Sequence, residues 1–282
     1  MWGQFLDQVL NQSHLDAFSR YGALPLILLL ERLFPMRKTP LFWRGWLSDS
    51  FHYYEPWIKS AIFGWFLVEA TKRVSIPEIR AFTQSLPLVG QYFLVFVLTE
   101  LVCYVMHRMM HAIPFLWEFH RVHHSSTQYY ALMTKPLHLL DETLFGFPTL
   151  SMVLVLSPVP QVAFFLVFFR RFMDLYGHSN VNGPRFTGYF LVTPHFHAWH
   201  HSNHPAAIDK NFSRDTVFLD YLFGTAYYPK GQLPTTFGDP SYTSNYFRQQ
   251  IQPFIEIFRR KAALNPKKPH SVRCIRLGLE GG

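Results

Sequence analysis

The sequence predicts an all-α integral membrane protein, in which a bundle of about four transmembrane helices carries a cytosolic helical cap rich in histidine. Three features favour this fold class. Long apolar runs recur along the 282 residues, of which 49% are hydrophobic and 18% aromatic. Charged residues still make up 16% of the chain. The 15 histidines are concentrated in clusters outside the apolar runs. Such a mixture is typical of a membrane protein with a substantial aqueous part.

Four apolar runs are the candidate membrane helices. Residues 21–33 and 57–70 are short, and Glu31 leaves a buried core helix open as a second interpretation of the first run. Residues 87–106 are long enough to span a bilayer. Residues 144–169 are longer still, but their prolines predict a helical hairpin or two bent helices.

Basic residues flank these runs unevenly, and this asymmetry predicts the orientation. Arginines and lysines follow the first, third and fourth runs, which predicts that the histidine clusters face the cytosol. Lys72, Arg73 and Arg80 fall on the opposite side and count against it. We expect a multi-pass protein of the bacterial inner membrane or the endoplasmic reticulum. No cleaved signal pattern opens the chain, so insertion through an internal helix is expected.

Histidines recur at helical spacing in two copies of His-x-x-His-His. The copies are His120, His123 and His124, then His197, His200 and His201, with His107 and His111 four residues apart just before the first copy. Residues three and four apart share one face of a helix, so each copy predicts one convergent group of imidazoles. Eight histidines exceed the ligands of one zinc ion, which takes four in a structural site and three plus water in a catalytic site. Two metals, with His178 as a ninth ligand, account for the pattern.

Other function classes are less compatible with these features. The net charge of +8 lies mainly beside the apolar runs and in the tail, where it suits anionic lipid headgroups rather than nucleic acid. Cys103 and Cys274 imply no disulfide framework. A membrane zinc-dependent lipid hydrolase is the alternative, although no acid–base carboxylate lies inside the histidine motifs. A metal transporter would carry its ligands within the membrane helices, which these clusters do not.

These motifs resemble the three histidine boxes of the fatty acid hydroxylase/sterol desaturase superfamily, in order. The boxes are His107-Arg108-Met109-Met110-His111, His120-Arg121-Val122-His123-His124 and His197-Ala198-Trp199-His200-His201. Further segments similar to the family pattern are Trp117-Glu118-Phe119-His120, Gly177-His178-Ser179-Asn180-Val181, Thr193-Pro194 and Asp220-Tyr221-Leu222-Phe223-Gly224-Thr225. The resemblance covers roughly residues 90–230.

The resemblance implies a membrane-bound oxygenase with a non-haem di-iron centre. Such an enzyme uses O2 and reducing equivalents to hydroxylate or desaturate a lipid, either an acyl chain or a sterol, at an unactivated C–H bond. The nine histidines would hold the two iron ions. Imidazole binds Zn, Cu, Fe and Ni alike, so zinc remains open as a substituting metal. No reductase or cytochrome motif is present, so we expect a separate electron donor of the ferredoxin or cytochrome b5 type with its reductase.

Five further residues are candidate metal ligands or hydrogen-bond partners of the ligands. They are Asp174, His138, Asp141, His195 and Asn180. Asp174 lies four residues before His178, where the fatty-acid 2-hydroxylase branch tends to have another histidine. His138-Leu139-Leu140-Asp141 stands where the family has a His-Pro-x-Glu segment. His195 would point away from the ligand face of its helix, so we expect it to support the site.

The remaining features complete the organisation of the chain. Residues 1–86 are expected to form N-terminal membrane helices and loops, residues 87–230 the histidine-box domain, and residues 231–282 a basic tail, all in a single functional unit. Four histidines outside the motifs are expected to be ordinary surface or core residues: His14, His52, His204 and His270. Trp199 and the pair Tyr227-Tyr228 are candidates for shaping a substrate channel.

Overall fold

The structure is a computed structural model that describes residues 23–40, 42–43, 45–54, 69, 76–134, 137–239 and 242–263. These residues form ten α-helices, four short 3-10 helices and isolated β-bridges, with no β-strand among them. The all-α prediction is therefore confirmed. The apolar run 57–70, apart from Glu69, lies outside the described residues, as do His14 and His270. The boundaries of the three predicted segments stay predictions.

The helices are numbered here in chain order. They are α1 (Ala23–Leu33), α2 (Trp46–Tyr54), α3 (Pro77–Ser85), α4 (Leu88–Ala112), α5 (Pro114–His120), α6 (Leu139–Leu156), α7 (Pro160–Gly177), α8 (Pro194–His200), α9 (Phe218–Leu222) and α10 (Tyr246–Ala263). The 3-10 helices are His123–Ser125, Ala131–Thr134, Arg185–Tyr189 and Pro205–Ala207.

Among the described residues, two helices are long and apolar enough to cross a membrane, α4 and α6. One face of α4 exposes large apolar side chains at every fourth position, namely Val97, Leu101, Val105 and Met109. The opposite face is buried against α6 and α7. A one-sided exposed apolar stripe is what a helix at the edge of a membrane bundle presents to lipid. The predicted number of about four spanning helices stays a prediction.

The apolar run 144–169 is divided between Leu156 and Pro160, whereas Pro148, another of the prolines predicted to break it, lies inside α6. Helix α6 ends at Leu156, and Ser157 then adopts a left-handed conformation with φ 44°. Helix α7 begins at Pro160, a position where proline is favoured because its missing N–H has no intrahelical partner anyway. The interhelical turn is attached to the preceding helices, since Gln91 Oε1 accepts a hydrogen bond from Val159 N at 2.9 Å. The break that the prolines predict is present.

Helix α1 packs on the protein with one face and exposes Leu26, Leu29 and Leu33 on the other. Its 11 residues cover about 16 Å, against about 30 Å for the hydrocarbon core of a bilayer. Glu31, on its buried face, accepts hydrogen bonds from Ala131 N at 2.8 Å and from Asn180 N at 2.5 Å. An acidic residue in this apolar run therefore has a structural explanation, because it binds two backbone N–H groups that would otherwise be buried without a partner.

A buried charge network attaches the segment before α9 to α4 and α7. Arg170 of α7 lies 3.4 Å from Glu100 Oε1 on α4 and 3.2 Å from Asp215 Oδ2. Thr216 donates to Glu100 Oε2 from both its backbone N and its hydroxyl, each at 3.2 Å. All three charged side chains are almost fully buried. Charges inside an apolar bundle persist when they pair in this way, and this pairing accounts for Glu100 in the apolar run 87–106.

Candidate metal centre

The nine histidines that the sequence singles out meet in two neighbouring groups. In each group, one ring nitrogen from every residue lies within 4.8 Å of those from all the others. The five-histidine group consists of His107, His111, His120, His124 and His200. The four-histidine group consists of His123, His178, His197 and His201. The structure therefore brings together the whole predicted set, from segments as far as 94 residues apart in the chain.

Short elements deliver these side chains to one region. The last two turns of α4 carry His107 and His111, and α5 begins directly afterwards at Pro114. Helices α5 and α8 each have seven residues, and each begins with a proline and ends with a histidine of the site. Three more histidines stand at the C-terminal boundary of a helix or in the turn that follows: His123, His178 and His201. Prolines thus set where the histidine-bearing helices start.

The prediction that each His-x-x-His-His copy forms one group is wrong. His123 belongs to the four-histidine group, although His120 and His124 belong to the five-histidine group. In the second copy the division is reversed, because His200 alone joins the five-histidine group. On a helix, residues i and i+4 differ by about 40° around the axis, whereas residues i+3 and i+4 differ from each other by about 100°. The first and last histidines of a copy therefore share a direction that the middle histidine does not. Each copy therefore contributes to both groups.

Imidazole rings of the two groups stack on each other. The rings of His124 and His201 stack across the boundary with their centroids 4.5 Å apart. The rings of His197 and His200 stack with centroids 5.1 Å apart. Two ions held by these groups would be neighbours, as they are in two-metal catalytic sites.

Backbone carbonyl groups hold two imidazoles of the five-histidine group. His107 Nδ1 donates to Phe212 O and His200 Nδ1 donates to Lys210 O, each at 2.8 Å. A carbonyl oxygen only accepts, so the ring proton is on Nδ1 and the lone pair is on Nε2. This is the tautomer that a metal binds through Nε2.

Carboxylates hold two further imidazoles of this group. His120 Nδ1 donates to Asp141 Oδ1 at 3.1 Å, and Asp141 is fully buried. His111 Nδ1 lies 3.3 Å from Asp209 Oδ1. The hydrogen bond from His111 lowers the pKa of the Asp209 carboxyl, which keeps it ionised near neutral pH. Carboxylate partners of this kind orient a metal-binding imidazole and raise its basicity.

The Nε2 atoms of the five-histidine group are buried and have no hydrogen-bond partner among the described residues. They belong to His107, His111, His120, His124 and His200. Leaving a single buried polar atom unpaired costs about 1–3 kcal/mol, so five together need an explanation. A metal ion bound by these lone pairs supplies it, and the donor set fits a metal that accepts imidazole nitrogen.

The Nε2 atoms of the four-histidine group converge in the same manner. His178 Nε2 lies 3.1 Å from His123 Nε2 and 3.0 Å from His197 Nε2. His201 Nε2 lies 3.1 Å from His197 Nε2. Nitrogens bound to one ion at about 2.0–2.1 Å are about 3.0–3.4 Å from one another, so this spacing fits a shared ion.

Burial and mutual repulsion keep these imidazoles neutral. Desolvation, followed by the neighbouring imidazoles, lowers the pKa of five of them well below the usual histidine value. They are His120, His124, His197, His200 and His201. Because only neutral imidazole binds a metal, the folded protein presents its ligands in the required form at neutral pH.

Asp141 and Asp174 both contact histidines of the site without joining either group. Asp141 contacts His120, as described above. The backbone carbonyl of Asp174 accepts from His178 Nδ1 at 2.7 Å, and its carboxylate Oδ1 lies 3.7 Å from the same nitrogen. Both residues therefore act on the orientation of a candidate ligand.

Three other candidates from the sequence lie outside both groups. His138 caps the N-terminus of α6, where its Nδ1 accepts from Leu140 N at 3.0 Å. The side chain of His195 contacts Asn182 Oδ1 at 3.1 Å. Asn180 binds the backbone of Arg37 through both amide atoms, at 2.7 and 3.0 Å. These contacts are structural, and they tie neighbouring segments together near the site.

Sequence reasoning missed the segment that follows the last histidine motif. Asp209, Lys210 and Phe212 supply three of the four oxygens that hold Nδ1 atoms in the five-histidine group. Two of these oxygens belong to the backbone, and a carbonyl group leaves no mark in the residue types. The available signal was the alternation of Asp209 and Asn211 around a lysine, since Asp and Asn tolerate a left-handed backbone better than other residues.

Comparison with known proteins gives a family match over the part of the chain that carries the site. The family model described as fatty acid hydroxylase matches residues 92–225, which include all nine histidines. Ornithine lipid hydroxylase OlsE of Rhizobium tropici is 28% identical over 263 residues, covering 88% of this chain and 77% of the relative. Methylsterol monooxygenase 1-3 of Arabidopsis thaliana is 26% identical, covering 71% of this chain and 76% of the relative.

Alkylglycerol monooxygenase of Danio rerio is a further relative, 31% identical over 137 residues. That match covers 48% of this chain but only 30% of the relative, so the chain spans less than a third of that enzyme. No solved structure matches this chain.

Proposed function

This chain belongs to the fatty acid hydroxylase/sterol desaturase superfamily, and from that premise we propose that it is a membrane-bound di-iron oxygenase that hydroxylates a lipid. The observation that carries the proposal is the pair of adjacent histidine groups with converging Nε2 atoms. The relatives named above are a lipid hydroxylase and two monooxygenases. Lipid oxygenation is therefore the reaction class that both the site and the relatives support.

The nine histidines would hold two iron ions, one in each group. When bound, the irons supply the redox chemistry by which O2 attacks an unactivated C–H bond, which acid, base and nucleophilic side chains do not achieve. The protein's own residues perform the rest. Asp141, Asp209 and the two carbonyl groups keep four Nδ1 protons in place, so that four of the five Nε2 lone pairs in the five-histidine group are directed to the centre.

Aromatic residues shield the site from water. The Phe212 ring contacts the rings of His107, His111 and His200 at centroid distances of 5.5, 5.1 and 5.9 Å. Phe145 of α6 contacts His107 at 5.2 Å. An apolar lining of this kind excludes solvent from a reactive centre and suits a hydrocarbon chain as substrate.

We propose hydroxylation rather than desaturation as the reaction. It needs one hydrogen abstraction, whereas an alkene requires a second positioned C–H bond. We propose an acyl chain of a polar membrane lipid as the substrate, since the relative that covers most of this chain acts on ornithine lipid. A sterol is the alternative substrate, in line with the methylsterol relative.

We also propose a membrane location, an orientation and an electron donor for the enzyme. We expect a multi-pass protein of the bacterial inner membrane or endoplasmic reticulum, with both histidine groups at the cytosolic face. Electrons would arrive from a separate ferredoxin or cytochrome b5 system with its reductase, docking at a basic surface. The candidate spans α4 and α6, of which α4 ends in His107 and His111, support this arrangement.

Metal analysis with O2 uptake tests the proposal. The detergent-purified protein from iron-replete cells is expected to hold about two irons per chain and to consume O2 only with both a reductant and membrane lipid, such as ornithine lipid. The product is expected to carry one additional oxygen atom, seen by mass spectrometry. Stoichiometric zinc with no O2 consumption would instead support the membrane zinc-dependent lipid hydrolase.

Histidine variants assign the effect to the site. His123→Ala and His200→Ala remove one ligand from each group and are expected to lower the iron content and abolish O2 uptake. His204→Ala is the matched control, because His204 is exposed and belongs to neither group. Full metal content in both ligand variants would contradict the proposed site.

A further inference from the structure

A single four-residue segment, Asp209 to Phe212, carries three of the hydrogen-bond acceptors of the five-histidine group. The Asp209 carboxylate faces His111, the Lys210 carbonyl accepts from His200, and the Phe212 carbonyl accepts from His107. These three histidines come from α4, which ends at Ala112, and α8, which begins at Pro194. The position of this one segment therefore determines the orientation of most of the group.

The backbone of the segment has an unusual conformation. Asp209 and Asn211 both lie in the left-handed region, with φ of 56° and 60°. This region is uncommon for residues other than glycine, and it persists only where the surroundings enforce it. The alternation of left-handed residues on either side of Lys210 accompanies the delivery of two carbonyl groups, from Lys210 and Phe212, to two imidazoles.

Asn211 is the residue that enforces this conformation. It is fully buried, and its Nδ2 donates to Phe196 O at 3.0 Å and to Tyr227 O at 2.8 Å. Its Oδ1 accepts from Tyr227 N at 2.7 Å. Phe196 directly precedes His197 on α8, so Asn211 connects the acceptor segment to the helix that bears His197 and His200.

Asp220 secures the far end of the same segment. Its carboxylate accepts from Phe212 N at 2.8 Å and from Ser213 N at 2.9 Å. Thr225 Oγ1 donates to it at 2.7 Å. The segment is thus held at both ends by buried side chains whose hydrogen bonds go to backbone groups and a hydroxyl, and none of them touches a histidine.

In the four-histidine group, two imidazoles lack an acceptor of this kind among the described residues. His178 Nδ1 donates to the Asp174 carbonyl. The Nδ1 atoms of His197 and His201 are buried without a hydrogen-bond partner among the described residues. The two groups therefore differ in how firmly their imidazoles are oriented.

We propose that Asn211 is a positioning residue for the five-histidine group, and that this group holds its metal more firmly than the four-histidine group does. The proposal rests on the proposed two-metal site and adds an order to it. Loss of the hydrogen-bond partners of metal ligands typically weakens metal binding by about 10–100-fold. Loss of Asn211 is expected to act on one of the two bound ions.

The test is metal release from the full-length protein in detergent. The apoprotein is loaded with Co²⁺, and its transfer to a chelator is followed together with the visible absorption of bound Co²⁺, which reports coordination geometry. The parent protein is expected to release two ions in two phases. Asn211→Gly keeps the left-handed backbone accessible but removes three hydrogen bonds. It is expected to accelerate the slow phase about 10–100-fold, leave the fast phase unchanged, and alter the absorption of the slowly released ion.

Two further variants separate positioning from general destabilisation. Asn245→Gly removes an asparagine whose Oδ1 accepts from Arg248 N at the start of α10, far from the histidines in sequence, and is expected to leave both phases unchanged. Asp209→Gly removes the acceptor of His111 without backbone strain and is expected to accelerate the slow phase, whereas Asp209→Asn, which retains an acceptor oxygen but not the charge, is expected to accelerate it less. Asp209 is 66% exposed, so these variants leave the core intact.

The outcomes distinguish this inference from the function it rests on. A parent protein that binds fewer than two ions contradicts the two-metal site. Two ions released in two phases, with both phases unchanged in Asn211→Gly and in Asp209→Gly, overturn the positioning role alone. Equal acceleration of both phases also overturns it, because the segment would then act on the whole site.

Discussion

At the scale of single residues, the Asp141 carboxylate is a fully buried acceptor for a histidine of the candidate metal centre. It is fully buried in the first turn of α6 and accepts from His120 Nδ1. Asp141→Asn keeps the shape but removes the charge that raises the basicity of the imidazole, so we expect iron affinity to fall about 10–100-fold. Iron retained after dialysis measures this effect.

A neighbouring acid is the control for Asp141→Asn. Glu142→Gln removes the same charge one residue later, and Glu142 belongs to neither histidine group. We expect it to keep the parent iron content. Equal iron loss in the two variants would show that charge near the start of α6, rather than the contact with His120, supports the metal.

The buried histidines also predict how stability depends on pH. The folded apoprotein keeps the pKa of His120, His124 and His197 well below the usual value, chiefly through desolvation. In the unfolded chain these groups take up protons below about pH 6.5, whereas in the folded apoprotein they do not. The free energy of unfolding is therefore expected to fall as the pH decreases below about 6.5, by up to about 1.4 kcal/mol per pH unit for each group.

Denaturant unfolding of the apoprotein at pH 7.5 and 5.5 measures this dependence. His124→Phe removes one titrating group from the site and is expected to reduce the stability difference between the two pH values. His204→Ala, at an exposed position, is expected to leave that difference unchanged. A parent protein equally stable at both pH values would contradict the prediction.

At the scale of elements, the charge network of Arg170, Glu100 and Asp215 holds α4 and α7 together through buried ion pairs. Arg170→Met leaves Glu100 and Asp215 buried without their cation. Breaking a buried ion pair by removing one partner costs about 3–5 kcal/mol, so a marked loss of thermal stability in detergent is expected. Combining Arg170→Met with Glu100→Gln and Asp215→Asn is expected to recover most of the loss, because neither acid then remains charged without Arg170. No recovery in the triple variant would show that the arginine stabilises mainly by packing.

Element boundaries near the site were largely readable from the sequence, but the sharing of ligands was not. Prolines at 114, 160 and 194 mark helix starts whatever the tertiary structure. Histidine spacing identified eight of the nine members of the two groups, because so many imidazoles rarely recur at helical intervals by chance, whereas His178 has no histidine partner at that spacing. The division of each motif between two groups depends on angular offsets and on partner helices distant in sequence. The carbonyl groups of Lys210 and Phe212 have no side-chain signature at all.

The interpretation of Glu31 shows the same limit at the level of a helix. An acid in a short apolar run is compatible with a membrane helix or with a core helix, and composition does not decide between them. The contacts that account for the acid, to Ala131 N and Asn180 N, come from segments 100 and 149 residues further along the chain. Only the tertiary structure supplies those partners.

At the scale of the whole molecule, the apolar stripe of α4 and a polar cleft are two contrasting surfaces. The stripe consists of Val97, Leu101, Val105 and Met109. The cleft has a volume of about 1210 Å³ and runs between Ser125, just after the first His-x-x-His-His copy, and the polar side of α10. If α4 spans the membrane with its histidine end at the cytosolic face, the stripe faces lipid and the cleft faces the cytosol.

Cysteine accessibility in membranes tests that arrangement. Cys274 is replaced by serine and Cys103, which is buried, is retained. Val97→Cys, on the stripe, is expected to resist a water-soluble maleimide in native membranes and to react after detergent denaturation. Ser244→Cys, which lines the cleft, is expected to react in inside-out bacterial vesicles and to be protected in intact spheroplasts. Reaction of Ser244→Cys in intact spheroplasts would reverse the orientation, since the reagent does not cross the bilayer. Rapid reaction of Val97→Cys in native membranes would mean that this face of α4 is in contact with water. The helix would then not cross the membrane, despite its length and composition.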